Sequence, residues 1–326
     1  MGKRILVTGG AGFIGSHFID LVLTTKPEWQ VVCLDALTYA GHLENLDDAK
    51  DSERFRFVEG DITNPNHRTI AFAEPVDYIV HFAAETHVDR SIHNPSRVFL
   101  YTNILGTQMM VEDARKYQVS RYVQVSTDEV YGSLALDSPD RFTETTPLAP
   151  SSLYSASKAA GDMLALAALT THDVPVVVVR SCNNYGPRQH PEKMIPRFVA
   201  RLMANKPIPL HGDGLYVRDW IHVTDNCRAI LTALESGETG HVYNIGASAE
   251  RSNISMAKQV CRILGLTDSD IAHVDDRPGN DRRYAIDASK IQGLGWSPCV
   301  NLDAGLKETA KWYIAHPERR VDVGEQ

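Results

Sequence analysis

The sequence predicts an α/β fold: a doubly wound parallel sheet with a second, smaller mixed α/β domain that binds substrate. Three observations carry this. Short runs of β-branched and aliphatic residues alternate with helical periodicity from Arg4 to Ser181, the pattern of a parallel sheet covered on both faces. The first of these runs passes at once into a glycine-rich turn and then a helix. At 326 residues the chain exceeds what one hydrophobic core normally supports, and its texture changes near Cys182.

Arg4-Ile5-Leu6-Val7-Thr8 is the first strand. Gly9, Gly12 and Gly15 follow, with Phe13 and Ile14 among them, and Phe18, Ile19, Leu21 and Val22 give the next helix its apolar side. Glycines placed between a strand and a helix permit a tight turn, close backbone approach to a pyrophosphate and helix-on-sheet packing, which is the Rossmann arrangement. A second strand, Val31 to Leu34, ends at Asp35, about twenty residues past the last glycine, where a carboxylate accepts hydrogen bonds from the adenosine ribose and repels a 2′-phosphate. No arginine follows in Ala36-Leu37-Thr38, so the expected cofactor is NAD, not NADP.

A third strand, Phe55 to Val58, leads to Gly60, Asp61 and Ile62. A fourth, Tyr78 to Phe82, leads to Ala83-Ala84-Glu85, small residues that let backbone approach a dinucleotide. Thr102 to Lys116 is expected as a helix with Ile104, Leu105, Met109 and Val111 on its apolar side. The fifth strand, Tyr122 to Ser126, runs into Thr127-Asp128-Glu129. A hydroxyl and two adjacent carboxylates then stand at the C-terminal mouth of a buried strand, where open α/β sheets bind ligands.

Tyr154 and Lys158 open a helix rich in Ala and Leu, and their four-residue spacing puts them on one face. A free phenol, with a pKa of roughly 10, is a poor base at neutral pH, but a cation held beside it favours the phenolate. Tyr154 is therefore a candidate base, with Lys158 as its activator. A tyrosine and lysine so spaced are more often a solvated pair; the hydroxyl-bearing strand end and the glycine loop turn the reading towards catalysis. Val176 to Val179 supplies a sixth strand.

From Asn183 to Arg188 the chain is turn-forming, and prolines recur at 191, 196, 207 and 209. Residues 1–181 with roughly 217–245 are expected to form the dinucleotide domain, and 182–216 with 246–326 the substrate domain, ending in a polar, frayed tail after Pro317. A formal charge of −8 without a basic run argues against nucleic acid as a partner. No apolar run approaches the roughly 20 residues that span a bilayer, and the N-terminus lacks the apolar region of a signal peptide, so no membrane partner and a cytoplasmic location are expected. Five widely spaced cysteines without a CxxC pair, and thirteen histidines without HExxH, suggest neither a disulfide framework nor a metal site.

The strings TGGAGFIG, AAETHVDRSI, VSTDEVYG, YSASKA, NNYGP, EKMIP and RPGNDRRYAID occur in this order. On them the chain resembles the extended short-chain dehydrogenase/reductase superfamily, and within it the dTDP-glucose 4,6-dehydratase family, over nearly the whole length. The resemblance implies that Thr127, Tyr154 and Lys158 oxidise a nucleotide sugar, and that Asp128 and Glu129 eliminate water from it. It implies that Thr38, Asp61, Ile62, Phe82, Ala83 and Ala84 meet NAD, the adenine resting at Asp61 and Ile62. His87, Thr127, Asn183, Glu192, Lys193, Arg218, Asn253, Arg277 and Asn280 would meet the substrate, with Arg218, Asn253 and Arg277 on its diphosphate portion. Where this chain has Asn280 the family usually has histidine. A homodimer is implied as well, through a four-helix bundle to which Met109, Met110, Met163, Leu164 and Leu166 would lend apolar surface. The Asp128-Glu129 pair separates a dehydratase from a 4-epimerase of the same fold, which needs no acid and base at this place. A 4-epimerase, a dehydratase acting on a different nucleotide and a non-catalytic NAD-binding protein stand as the alternatives.

Overall fold

The computed structural model describes residues 2–93, 97–276 and 279–320. Six strands, β1 Arg4–Thr8, β2 Gln30–Asp35, β3 Phe55–Glu59, β4 Tyr78–His81, β5 Arg121–Thr127 and β6 Val176–Ser181, join the strand Val242–Ile245 in one parallel sheet. The order across it is Val242–Ile245, β6, β5, β4, β1, β2, β3. Ile5, Leu6, Val7, Ile79, Val80, Val123 and Val176 to Val179 are fully buried. These strands are covered on both faces, so their sequences read as unbroken apolar runs. The chain winds outward from β1 to β3, then restarts at β4 on the other side of β1 and winds the opposite way. The C-terminal ends of β1 and β4 therefore flank the reversal point, where an open sheet leaves a crevice.

The run from Val217 to Ile245 divides its loyalties. Val217–Arg218 pairs with Arg251–Ser252, and Trp220–His222 with Asn183–Tyr185, both away from the sheet. The helix Val223–Ser236 then packs beside the helix Phe13–Thr25, and Val242–Ile245 closes the sheet edge against β6. Beyond the crevice the helices Met194–Met203, Asn253–Ile263 and Leu302–Ala315 build a core of their own from Phe198, Val199, Leu202, Val260, Ala310 and Tyr313. Ile208–His211 pairs in parallel with Ile271–Val274 at its margin.

The helix expected over 102–116 is composite: a π-helix spans Leu100–Gly106 and an α-helix follows over Thr107–Lys116. A π turn carries an extra residue, which rotates the downstream face. The buried side accordingly falls on Met110, Val111 and Ala114, while Ile104, Leu105 and Met109 are only half-buried. Met110 lies wholly inside the chain's own core, so it cannot lend surface to a dimer. Arg277 lies outside the described residues, as does the tail from 321 onward; before it, Pro317–Arg319 forms a 3-10 turn from which Arg319 donates to Asn45 Oδ1 at 2.9 Å.

Candidate active site

A cleft of about 320 Å³ opens over the reversal point. Every residue expected to meet the cofactor lines it: Gly9, Gly12, Phe13, Ile14, Gly15, Asp35, Thr38, Asp61, Ile62, Phe82, Ala83 and Ala84. So do Thr127, Asp128, Glu129, Tyr154, Lys158, Asn183, Glu192 and Lys193. Glu192 is shared with an adjoining hollow of about 100 Å³ that takes in His87, Asn253 and Asn280.

The dinucleotide half is built from backbone. Gly9 has φ +69°, and a Cβ there would stand 2.6 Å from the Ala83 amide nitrogen; a Cβ on Gly15 would run into the Gly9 carbonyl. Only glycine lets the loop fold this tightly against β4. The helix Phe13–Thr25 starts from Gly12 with no side-chain cap and no acidic residue in its first turn. Its first amides and positive dipole end are thus available to an anion. Asp35 accepts from the amides of Ala11 (2.9 Å, Oδ2) and Leu37 (2.8 Å, Oδ1), and each oxygen keeps a lone pair for a ribose hydroxyl. Burial raises its carboxyl and the two amides oppose that. These residues fit a dinucleotide without a 2′-phosphate.

At the mouth of β5, Thr127 Oγ1 accepts from the Glu129 amide at 3.3 Å and so caps the 3-10 turn Asp128–Tyr131. The cap turns Asp128 inward. Asp128 is 2% exposed, and its Oδ2 meets no donor among the described residues. Burial first, and the charge of Glu129 second, push its carboxyl well above the usual carboxylate range, with Arg218 opposing. The neighbouring charge is thus the lesser cause of the rise.

The helix Leu153–His172 is fixed at its start by a capping box between Ser152 and Ser155. It presents the Tyr154 phenol to hydrogen bonds with Thr86 and Thr127. Burial, then the negative charge of Glu129, raise this phenol, where the Tyr154-Lys158 spacing alone suggested that it would be lowered. Lys158 directs its Nζ to the Val125 carbonyl at 2.6 Å; burial pulls the ammonium down to about 8 and Asp162 opposes that. Four-residue spacing sets a shared face, but it does not say which charge lies nearest.

On the far wall Lys193 Nζ donates to Thr86 Oγ1 at 3.2 Å, and Glu192 accepts from the Tyr39 hydroxyl at 3.0 Å. His87, at φ +85°, brings Nε2 to 3.8 Å from Asp89. Asn253 opens the helix Asn253–Ile263. Arg218 lies with its guanidinium 4.2 Å from the centre of the Tyr284 ring and donates to Asn280 Oδ1 at 3.3 Å; Asn280 Nδ2 donates to Asp276 at 3.0 Å. Asn280 is therefore a neutral bridge between a cation and a carboxylate. Sequence reasoning missed Thr86, Ser126, Asp162 and Arg180. Thr86 and Ser126 lay within the strings AAETHVDRSI and VSTDEVYG, and Asp162 continues the spacing of Tyr154 and Lys158 by four more residues.

Residues 6–309 match the family model described as GDP-mannose 4,6 dehydratase. The dTDP-glucose 4,6-dehydratase of an Actinoplanes species is 47% identical over 96% of this chain and 98% of its own length. The dTDP-glucose 4,6-dehydratase of Streptomyces venezuelae, whose crystal structure holds NAD, is 44% identical over 97% of this chain and 98% of that one, with a TM-score of 0.93. The UDP-glucose 4-epimerase of Thermotoga maritima, solved with UDP-glucose, superposes with a TM-score of 0.88 at 32% identity, covering 96% of this chain and 99% of that one. The fold alone thus does not separate the two reactions. The family model spans most of the sequence and a relative matches it over nearly its full length, so the chain belongs to the GDP-mannose 4,6 dehydratase family.

Proposed function

We propose that the protein is an NAD-dependent dTDP-glucose 4,6-dehydratase, which removes water from the sugar to give dTDP-4-keto-6-deoxy-glucose. The observation that carries this reading is the buried Asp128 carboxyl, one oxygen of which meets no donor among the described residues, beside Glu129 in the cleft that holds Tyr154. A carboxyl whose burial favours its protonated form can serve as a general acid, and a 4-epimerase has no step for one. The names of the relatives support the dTDP-glucose assignment.

In the proposed reaction Tyr154, ionised with the Lys158 ammonium beside it in the cleft, takes the proton of the sugar 4-hydroxyl while Thr86 and Thr127 hold the phenol oxygen. NAD, when bound, supplies a cationic acceptor for the C4 hydride and, once reduced, the hydride that reaches C6. The new 4-ketone acidifies C5, and Glu129 removes the C5 proton. Asp128 protonates the departing 6-hydroxyl, which leaves as water. Glu129 then returns its proton to C5 as C6 is reduced, Tyr154 releases to solvent the proton it took from the 4-hydroxyl and Asp128 regains one from solvent, so all three groups return to their starting states. Arg218, Asn253 and Arg277 are assigned to the diphosphate, with His87, Asn183, Glu192, Lys193 and Asn280 around the rest of the substrate.

Purified protein is expected to turn over dTDP-glucose to a 4-keto product without net accumulation of reduced cofactor, and to bind NAD much more tightly than NADP. A panel of nucleoside-diphosphate hexoses with a cofactor titration checks both. Product formed in step with net reduced cofactor, or 4-epimer from any of the sugars, would overturn the reading.

The division proposed for the chain is a dinucleotide domain of residues 1–181 with roughly 217–245 and a substrate domain of the rest, supported by the separate core around Phe198 and Tyr313. A homodimer is also proposed through a four-helix bundle, in which the composite helix over 100–116 and the helix Leu153–His172 pair with their copies. Its support is apolar surface at Tyr101, Leu153 and Met163, each more than half exposed, where a lone chain would leave an apolar patch in water. Light scattering at micromolar concentration should return twice the chain mass; the mass of one chain would refute the dimer. Among the described residues no helix is long and apolar enough to cross a membrane, and the free thiols of Cys33, Cys182, Cys227 and Cys261 are buried, which supports a cytoplasmic setting.

A further inference from the structure

Behind Lys158 the chain buries a polar network that the proposed reaction does not itself use. Asp162, one helical turn beyond Lys158, is wholly buried in an alanine-rich helix. Its Oδ2 accepts from Ser126 Oγ at 2.9 Å and from Arg180 Nε at 3.0 Å, while Oδ1 meets no donor among the described residues. Arg180, 4% exposed, also donates to the Tyr131 hydroxyl at 2.9 Å, and that hydroxyl donates to Asn244 Oδ1 at 2.8 Å. A carboxylate here requires compensation for its lost hydration, and β5, β6 and the turn after β5 all take part in holding it.

The groups around this pair come from several elements. His81 on β4 faces Lys158; it is hydrogen-bonded to Thr8 at 2.7 Å and Thr107 at 3.3 Å, and burial pulls it down to about 3, so it is neutral. Tyr122 on β5 and Arg180 on β6 face Asp162, and burial keeps the Tyr122 phenol neutral. Asp162 is the negative charge that acts on Lys158, and it opposes the fall in the ammonium that burial causes; burial raises the Asp162 carboxyl in turn, and the charges of Arg180 and Lys158 with the hydrogen bonds from Ser126 and Arg180 oppose that.

We propose that Asp162 is a positioning residue for the oxidation step: fixed by Ser126 and Arg180 one turn behind Lys158, it supplies the charge that keeps the lysine an ammonium. This rests on the dehydratase reading. The test loads the full-length protein with NAD, mixes it with excess dTDP-glucose, and follows the first appearance of reduced cofactor across a range of pH. In the parent the rate falls at high pH as Lys158 loses its proton. Asp162→Asn should move that fall to lower pH by about one unit, the lower end of what an adjacent opposite charge does. Well below the fall its rate should stay within about threefold of the parent.

Asp162→Glu, which retains the charge, should leave the fall near its parental position. Asp162→Asn leaves Arg180 buried without its partner, so the doubly neutral Asp162→Asn/Arg180→Gln protein serves as a second arm and should show the same displacement. A rate lowered equally at every pH, or a fall that does not move in either protein, overturns the proposal. A parent that forms no reduced cofactor with dTDP-glucose overturns the dehydratase reading instead.

Discussion

Glu129→Gln is expected to reduce its bound NAD on mixing with dTDP-glucose and then stall. The substitution keeps the shape and the hydrogen-bonding capacity of the side chain but removes the base. Tyr154 can still take the 4-hydroxyl proton, and the 4-ketone forms, but the C5 proton stays in place. Loss of one positioned general base lowers turnover by about 10²–10⁴-fold. Tyr154→Phe should lose turnover to a similar extent for the opposite reason: the first hydride never leaves C4. Steady-state rates would not tell these variants apart. Absorbance in the reduced-nicotinamide band during the first turnover would, rising and persisting in Glu129→Gln and staying flat in Tyr154→Phe. If Glu129→Gln turned over at the parent rate, or showed no more reduced cofactor than Tyr154→Phe, the division of labour between the carboxylate and the phenol would be wrong and a 4-epimerase would become the better reading.

Arg180→Met is expected to carry the largest stability loss. Arg180 and Asp162 form an ion pair at 3.0 Å with both side chains almost fully out of water. Removing one partner of a buried pair leaves an uncompensated charge, which typically costs about 3–5 kcal/mol. The same physics predicts a recovery: Arg180→Met/Asp162→Leu removes both desolvation penalties together and should regain most of the loss. Urea unfolding of the three proteins checks this, with the ordering parent, then the double variant, then Arg180→Met. An Arg180→Met midpoint equal to the parent's would show that the pair contributes little. The recovered double variant would still lack the charge behind Lys158, so it should fold well and oxidise substrate poorly at alkaline pH.

Much of the site was legible because its chemistry is local in sequence. The glycine loop, Asp35 at a strand end, the Thr127-Asp128-Glu129 run and the Tyr154-Lys158 spacing are each short strings whose meaning follows from strand and helix periods. The apolar runs are equally explicit, since strands buried on both faces leave no alternation to decode. The helix after residue 100 was less legible. Its π turn inserts a residue with no proline to announce it and only Gly106 at its end, and that one residue moved Met110 from an expected interface into the core.

The sequence by itself thus determined the fold class and the dinucleotide loop, and it put forward the candidate oxidising and eliminating groups. The tertiary structure alone decided which way each group's pKa moves. The Asp128 carboxyl is raised because the chain buries it, with Glu129 the lesser influence; Tyr154 is raised where spacing suggested it would be lowered; Lys158 answers to Asp162 and the Val125 carbonyl. The physical reason is that a pKa is set by hydration and by every charge within a few ångströms. In this site those neighbours come from β4, β5, β6 and a loop carrying Thr86, segments far apart in the chain that only folding brings together.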